Sequence, residues 1–391
     1  MKSRFISDSI KYIGADDPEL DIFEGQYELE DGMCYNSYII KDDKIVVMDT
    51  IDARKSDEWM NNLEKELDGK EVDYLVISHM EPDHSANIGA LASKYPNMKL
   101  VGNETTFKFL NQFFGSIDNL DERKVVVSEG DKLNTGSHTL TFVMAPMVHW
   151  PEVMFTYDET DKVLFSADAF GKFGVFDADE DDWDCEARRY YFNIVGKYGV
   201  QVQAVLKKAS ALDIKTICPL HGPILSENLE HYINKYDVWS KYEPEDSGIF
   251  IAYASIHGNT KKAALRFKEI LEEKGFDEVH ITDLTRDDLH EAIEDAFRYD
   301  RLALFSSSYN MGLFPPMDYF LSNLVSKNYQ KRKVAIVENG TWAPSAARCM
   351  NEYVAKMNNM QIIGPQVTIK STLNDETEEK LKELADNLIK G

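Results

Sequence analysis

Residues 78–87 read S-H-M-E-P-D-H-S-A-N, and four of these residues have side chains that bind metals. The apolar run at residues 74–77 comes directly before them and is typical of a buried strand. A loop at the end of such a strand can turn several short side chains toward one point, and imidazole and carboxylate groups are ligands that divalent metals prefer. The stretch therefore predicts a metal site, the alternative being a polar loop whose charges face solvent. The candidate ligands are His79, Glu81, Asp83 and His84.

Three later loops carry the same kinds of side chain just after apolar runs. His149 follows a run that ends at residue 144, Asp168 follows residues 163–165, and His221 follows residues 215–217. Each loop also contains Pro or Gly, which favour turns. Four strand ends with ligand side chains in one region are hard to explain by chance. We therefore predict that the four loops meet at one metal centre.

The sequence pattern changes near residue 242. Residues 1–247 combine β-type runs with helical spacing, including one helical stretch at 185–212, and predict sheets flanked by helices. The polar segment 242–248 is predicted to be a linker. Beyond it, about five strands alternate with helices, the pattern of a doubly wound parallel sheet. We expect an α/β multidomain protein with domains at residues 1–247 and 248–391.

Three loops in the second region follow predicted strands, at residues 255–260, 306–312 and 339–343. The first, S-I-H-G-N-T, offers hydroxyls and backbone N–H groups at a helix start, which can bind a phosphate dianion without Lys or Arg. It lacks the Lys of an ATP- or GTP-binding loop. Alone it is equally typical of an ordinary capped helix, but three such loops at the rim of a doubly wound sheet predict a ligand site. Tyr309 and Trp342 can stack on a flat ring.

The composition excludes several classes of protein. A formal charge of −25 over 391 residues argues against nucleic-acid binding, which needs clustered Lys and Arg. No apolar stretch approaches the roughly 18 residues of a membrane span, and the N-terminus lacks the apolar run of a secretory signal. The 4 cysteines lie far apart, without the spacing of a thiolate metal site. We expect a cytoplasmic protein that binds neither nucleic acid nor membrane.

The order H-x-E-x-D-H, followed by His, Asp and His, resembles the metallo-β-lactamase fold in its flavodiiron variant. The S-x-x-G-N-T loop resembles the phosphate loop of flavodoxins. Together the resemblances cover essentially the whole chain and imply a metallo-β-lactamase-like αββα sandwich followed by a flavodoxin-like, doubly wound, five-stranded parallel sheet. Hydrolytic branches of that superfamily usually carry His where this chain has Glu81, whose anionic oxygen favours iron. The implied cofactors are FMN and two iron ions.

The resemblance also implies roles for individual residues. One iron would be held by His79, Glu81 and His149. The second would be held by Asp83, His84 and His221, with Asp168 bridging both. Three aromatic residues near the open coordination positions would shield reactive oxygen species or donate a hydrogen bond, unless they are core aromatics: Trp150, Tyr190 and Tyr191. The residues that would contact FMN are Ser255, Ile256, His257, Gly258, Asn259, Thr260, Ser307, Ser308, Tyr309, Asn310, Gly312, Asn339, Gly340, Thr341 and Trp342.

The implied activity is that of a flavodiiron oxidoreductase that reduces O₂ to water, NO to N₂O, or both. We expect no rubredoxin or flavin-reductase module in the chain, so a separate donor would supply electrons, such as rubredoxin or a reduced deazaflavin. A head-to-tail homodimer, or a dimer of dimers, would bring the flavin of one chain to the diiron site of another. Residues 24–27 contain no His, which some family members carry near the substrate, so the choice between O₂ and NO stays open. The alternatives are a dizinc hydrolase with an accessory α/β domain and a flavin electron carrier whose metal domain is only a scaffold.

Overall fold

The computed structural model describes residues 4–115, 117–178 and 183–390. They form two compact units, which we describe separately. The first contains Met1–Tyr191 and Val200–Asp237, and the second contains Phe192–Gly199 and Val238–Gly391. The domain boundary between residues 247 and 248 stays a prediction. None of the described helices is both long enough and apolar enough to cross a membrane.

The strands and helices of the first part of the chain are mostly short. The strands are β1 (Ile10–Tyr12), β2 (Ala15–Asp17), β3 (Ile22–Phe23), β4 (Tyr27–Glu28), β5 (Met33–Tyr35), β6 (Tyr38–Lys41), β7 (Ile45–Met48), β8 (Tyr74–Val76), β9 (Lys99–Gly102), β10 (Lys124–Val126), β11 (Lys132–Asn134), β12 (Thr139–Met144), β13 (Met154–Asp158), β14 (Val163–Phe165) and β15 (Thr216–Cys218). The helices are α1 (Ser56–Leu67), α2 (Pro82–Ser85), α3 (Ile88–Lys94), α4 (Glu104–Phe114), α5 (Leu120–Arg123), α6 (Trp183–Tyr190), α7 (Gly199–Ala209) and α8 (Leu229–Ser240).

Two main sheets build the first unit. One has the strand order β1-β6-β7-β8-β9-β10, antiparallel up to β7 and parallel beyond it. The other follows the chain from β11 to β15, and only β14 and β15 are parallel. Val46 and Val76 of the first sheet share a buried core with Phe142 and Phe165 of the second. The two sheets therefore pack face to face, as the sequence predicted.

The second unit is a doubly wound sheet. Its strands are β16 (Asp246–Ala254), β17 (Val279–Asp283), β18 (Tyr299–Tyr309), β19 (Gly312–Leu313), β20 (Lys333–Asn339) and β21 (Gln361–Ile369). Its helices are α9 (Asn259–Glu273), α10 (Leu289–Arg298), α11 (Pro315–Ser326), α12 (Ala346–Val354) and α13 (Asp375–Lys390). The order β17-β16-β18-β20-β21 is parallel throughout, with β19 antiparallel to β18. This is the order of flavodoxin-type sheets, whose ligands bind where the strand order reverses.

Two predictions about local structure were wrong, and one helix was missed. The predicted linker is shorter than 242–248, because β16 already begins at Asp246, whose carboxylate accepts from Arg298 Nε at 2.7 Å. The predicted helix at 185–212 is not continuous: a π-helical turn, Tyr191–Val195, and a short 3₁₀ turn separate α6 from α7. Helix α8 was missed, although its apolar residues recur at helical spacing.

Candidate metal centre and cofactor cleft

The candidate metal ligands come from four strand ends of the first unit, which main-chain hydrogen bonds join. The Met154 N–H donates to the Ser78 carbonyl at 3.1 Å and so links the two sheets at this rim. The Leu220 N–H donates to the Ala167 carbonyl at 2.9 Å. Pro82 begins α2, which places Asp83 and His84 on one helical turn rather than in an open loop. The predicted meeting of four loops is therefore present.

Three side chains define what we call the first metal position: His79, Glu81 and His149. Glu81 Oε2 lies 3.1 Å from His79 Nε2 and 3.0 Å from His149 Nε2. A fourth atom, Asp168 Oδ2, lies 3.2 Å from His79 Nε2 and 3.3 Å from His149 Nε2. These four atoms converge on one point.

Three other side chains define the second metal position: Asp83, His84 and His221. Asp83 Oδ2 lies 3.3 Å from His84 Nε2 and 3.1 Å from His221 Nε2. Asp168 Oδ1 lies 3.2 Å from His84 Nε2 and 3.9 Å from His221 Nε2. The two oxygens of Asp168 thus face different metal positions, as a bridging carboxylate requires.

The chemistry of this donor set fits two cations. Ligand atoms at about 2.0–2.2 Å from one metal lie about 3 Å from each other, which matches the separations here. Carboxylate oxygens only accept hydrogen bonds, and both oxygens of Asp83 and of Asp168 are buried without a hydrogen-bond partner among the described residues. Buried oxygens that face imidazole nitrogens at such distances are stabilised by a positive charge between them. The residues therefore fit the diiron site that the resemblance implies.

The electrostatics of the cluster point the same way. Burial lowers the pKa of His79, but Asp168, Glu152 and Glu81 outweigh burial and raise this pKa well above its usual value. Burial also lowers the pKa of His149, which Asp168 and Glu81 nevertheless raise to about 9. Conversely, burial raises the pKa of Asp168, but the neighbouring imidazoles hold it well below its usual range. The cluster concentrates negative charge that stabilises a proton or a metal ion.

Three buried groups that orient the ligands were not predicted. Glu152 Oε1 lies 2.7 Å from His79 Nδ1, on the ring edge away from the first metal position. His221 Nδ1 donates to the Cys34 carbonyl at 2.7 Å. Asp49 accepts from the Ser78 N–H at 2.6 Å, and burial raises the pKa of Asp49 to about 6. Cys34 belongs to β5, Asp49 follows β7 and Glu152 lies two residues before β13, but only the tertiary fold shows which candidate ligand each group contacts.

The three aromatic candidates differ in their contacts. The Trp150 ring lies 5.2 Å from the His79 ring, at 90° to it. The Tyr190 ring lies 5.7 Å from the His221 ring, and burial raises the pKa of the Tyr190 hydroxyl well above its usual value. The Tyr191 ring packs 5.0 Å from Tyr236. Trp150 and Tyr190 therefore border the two metal positions directly.

A cleft of about 210 Å³ in the first unit reaches both metal positions. Glu81 of the first position and Asp83 of the second lie in its wall, and Phe23, Glu24 and Arg54 line it further out. A small molecule that enters this cleft meets one carboxylate ligand from each metal position. The cleft is thus a candidate route of access for a small molecule.

A larger cleft, of about 590 Å³, lies in the second unit. Its lining residues are Ser255, Ile256, His257, Asn259, Thr260, Ser307, Ser308, Tyr309, Asn310, Met311, Asn339, Gly340, Thr341, Trp342, Ala343 and Ser371. Of the residues predicted to contact FMN, Gly258 and Gly312 are not in this lining. Gly258 instead precedes α9 with a φ of +86°, and Gly312 pairs with Tyr309 in the β18–β19 hairpin. Met311, Ala343 and Ser371 were not predicted.

This cleft fits FMN. Its volume lies within the range of about 300–1,000 Å³ that is usual for cofactor sites. The first turn of α9 is at one side, where Thr260 Oγ1 and Ser307 Oγ lie 2.9 Å apart, and the part of the chain that the structure describes contributes no Lys or Arg to the lining. Helix N–H groups and hydroxyls can therefore hold a phosphate there. Trp342 is 88% exposed, and Tyr309 is also exposed, so both rings are free to cover a flat ring system.

Comparison with known proteins agrees with this architecture. A family model described as "ODP family beta lactamase" matches residues 33–222. The anaerobic nitric oxide reductase flavorubredoxin of Vibrio vulnificus is 30% identical over an alignment of 348 residues that covers 86% of this chain and 70% of that protein. A mutant of the flavo di-iron protein from Thermotoga maritima is 26% identical, with a TM-score of 0.89 over 100% of this chain and 98% of that one.

A further likeness concerns the fold alone. The rubredoxin oxygen:oxidoreductase of Desulfovibrio gigas is 24% identical, with a TM-score of 0.92 over 99% of this chain and 97% of that one. The expected order of a metallo-β-lactamase-like domain and a flavodoxin-like domain is therefore confirmed. The chain belongs to the flavodiiron protein family.

Proposed function

We propose that the protein is an oxidoreductase that reduces O₂ to water, NO to N₂O, or both, with FMN and a non-haem diiron site. The observation that carries this proposal is the position of Asp168, whose two oxygens lie between two metal positions that each contain two His and one further carboxylate. The name of the Vibrio vulnificus relative specifies nitric oxide, and that of the Desulfovibrio gigas protein specifies oxygen. A flavin cleft on the same chain supports redox chemistry rather than hydrolysis.

The proposed ligands are His79, Glu81 and His149 for one iron, and Asp83, His84 and His221 for the other. When bound, two ferrous ions and reduced FMN supply the four electrons that convert O₂ to two waters, or the two electrons that couple two NO molecules into N₂O and water. The chain holds the ligands through buried hydrogen bonds, such as that from His221 Nδ1 to the Cys34 carbonyl, so that little rearrangement is needed. The narrow cleft beside Glu81 and Asp83 suits a diatomic substrate.

We also propose Trp150 and Tyr190 as neighbours that shield the reacting centre, since their rings border ligand imidazoles. Tyr191 is a less direct candidate, because its ring packs on Tyr236. Residues 1–247 and 248–391 are proposed as the metal and flavin domains. A cytoplasmic location is part of the proposal, and the free thiols of Cys34 and Cys218 suit a reducing compartment.

The proposed donor is a rubredoxin-like protein or another reduced carrier, as the names of the two relatives suggest. The proposed active unit is a head-to-tail homodimer or a dimer of dimers, because the metal centre and the flavin cleft belong to different compact units. Analytical ultracentrifugation combined with a turnover assay tests the assembly. A monomer with full activity would overturn it.

Metal analysis and an absorbance spectrum of the purified protein test the proposed function first. Iron near two per chain together with flavin bands is the expected result. Zinc without flavin would support the dizinc hydrolase, and flavin without metal would support the electron carrier. Anaerobic stopped-flow mixing of the reduced protein with O₂ and with NO then identifies the substrate, and inertness to both gases would end the proposal.

A further inference from the structure

Glu152 is a buried carboxylate beside the metal centre that none of the proposed ligand roles uses. It is 0% exposed and lies three residues after His149 in the segment H-W-P-E. Its Oε1 lies 2.7 Å from His79 Nδ1 and accepts from the Met80 N–H at 2.9 Å. Its Oε2 is buried without a hydrogen-bond partner among the described residues. One oxygen of the Glu152 carboxylate therefore contacts both His79 and Met80.

The surrounding backbone holds Glu152 in place. Asn103 Nδ2 donates to the Glu152 carbonyl at 2.6 Å. The same Asn103 side chain caps α4 by accepting from the Thr105 and Thr106 N–H groups. Two residues after Glu152, the Met154 N–H donates to the Ser78 carbonyl. A helix start and two strand ends thus fix the distance from Glu152 to His79.

This contact determines the tautomer of His79. An ionised carboxylate only accepts hydrogen bonds, so His79 Nδ1 must carry the proton that it donates to Glu152. With a metal bound, His79 Nε2 would offer its lone pair to that metal at the first metal position, where Glu81 Oε2 lies 3.1 Å and Asp168 Oδ2 lies 3.2 Å from this nitrogen. A carboxylate that accepts from a ligand imidazole raises the basicity of that imidazole. A more basic ligand stabilises the more positive oxidation state of the metal it binds.

At the second metal position, no described carboxylate contacts the outer nitrogen of a candidate ligand imidazole. His221 Nδ1 donates to the neutral backbone carbonyl of Cys34. His84 Nδ1 is buried and has no hydrogen-bond partner among the described residues. Both positions otherwise have the same set of candidate ligands: two His, one carboxylate of their own, and one oxygen of Asp168. The difference is that a carboxylate, Glu152, contacts the outer nitrogen of a ligand imidazole at the first position, whereas a neutral carbonyl does so at the second.

We propose that Glu152 is a positioning residue that makes the two metal positions unequal, so that the iron at the first metal position is the more tightly bound and the more readily oxidised of the two. This inference rests on the proposed diiron function. It assigns an order of oxidation: the iron at the first metal position, beside Trp150, would be oxidised before the iron at the second.

The test compares Glu152→Gln with the wild-type holoprotein reconstituted with ⁵⁷Fe. Glutamine keeps the size of the side chain but removes its charge. Chelator competition is expected to show one iron weakened by about 10- to 100-fold and the other unchanged. In anaerobic oxidative titrations followed by Mössbauer spectroscopy, the wild type is expected to oxidise one iron first. In the variant, that iron is expected to oxidise later, at a higher potential.

Two further variants complete the design. His149→Ala identifies the Mössbauer doublet of the first metal position, because that doublet is expected to be lost. Asp158→Asn is a matched control: Asp158 is a buried carboxylate in the same unit, 3.0 Å from His138 Nδ1 and outside the metal centre. Neither iron should change in that variant. If Glu152→Gln does not fold, Glu152→Asp, which draws the carboxylate back by one methylene, is measured instead. Weaker binding of one iron, with the other unchanged, is again the expected result.

Equal weakening of both irons, or no change in either, would overturn the inference while leaving the proposed function intact. A first oxidation at the doublet of the second metal position would overturn it as well. A wild-type protein that holds no iron would instead contradict the proposed function itself. The two failures are therefore distinguishable before any turnover is measured.

Discussion

Replacing Asp168 with asparagine should weaken both metals at once. Asp168 supplies one of four converging atoms at the first metal position and also faces the second, where its Oδ1 lies 3.2 Å from His84 Nε2. Asparagine has nearly the same shape but lacks the negative charge that two cations would share. Loss of a group that only orients a ligand costs about 10- to 100-fold in metal affinity. Loss of a direct bridging ligand should cost at least about 100-fold, or about 2.7 kcal/mol, at each metal.

The measurement is iron stoichiometry by elemental analysis, followed by chelator competition on the wild type and on Asp168→Asn. Asp158→Asn serves as the control here too, because it removes a charge from another buried Asp–His pair in the same unit and should keep both irons. Retained FMN shows that the second unit is folded. If Asp168→Asn loses only one iron, Asp168 does not bridge the two metals. If it binds both irons as tightly as the wild type, Asp168 is not a ligand.

Three further predictions concern the second unit. Gly258 has a φ of +86°, so Gly258→Ala should lower the free energy of unfolding by about 1–2 kcal/mol in urea denaturation, and Gly258→Asn by less. Trp342→Ala should weaken FMN binding about 2- to 10-fold by fluorescence titration, as expected for one aromatic contact, whereas Tyr319→Ala, an exposed aromatic outside the cleft, should bind FMN normally. Phe267→Ala empties a fully buried position against Phe305 and should cost about 3–5 kcal/mol; a loss below about 1 kcal/mol would contradict this packing.

The sequence predicts well which candidate ligands lie together, because most of them are locally encoded. His79, Glu81, Asp83 and His84 are almost contiguous, and each remaining candidate follows a recognisable strand. The second unit is equally predictable, since each βα unit carries its own periodicity and its loops lie at one rim by the rules of parallel sheets. The hydrogen bonds of Glu152 and Cys34 are not predictable in this way, because their imidazole partners lie 73 and 187 residues away along the chain.

Other elements were missed for different reasons. Strands β3 and β4 have two residues each, too few to show alternation. Helix α8 does have an apolar pattern, but aromatic and polar residues alternate closely enough to obscure it. Ser371 lines the cofactor cleft, where its hydroxyl donates to Thr341 Oγ1 at 3.0 Å and its carbonyl accepts from Asn339 Nδ2 at 3.2 Å. Such contacts depend on the final packing rather than on a local signal.

Each metal position draws its candidate ligands from both sheets of the first unit: His79 and Glu81 follow β8, whereas His149 follows β12 of the other sheet. The second position is built in the same way, with His221 after β15. A metal bound at either position would therefore tie the two layers together much as a covalent cross-link does. Its binding free energy would be part of the folding free energy, so removal of iron should lower the free energy of unfolding of the first unit.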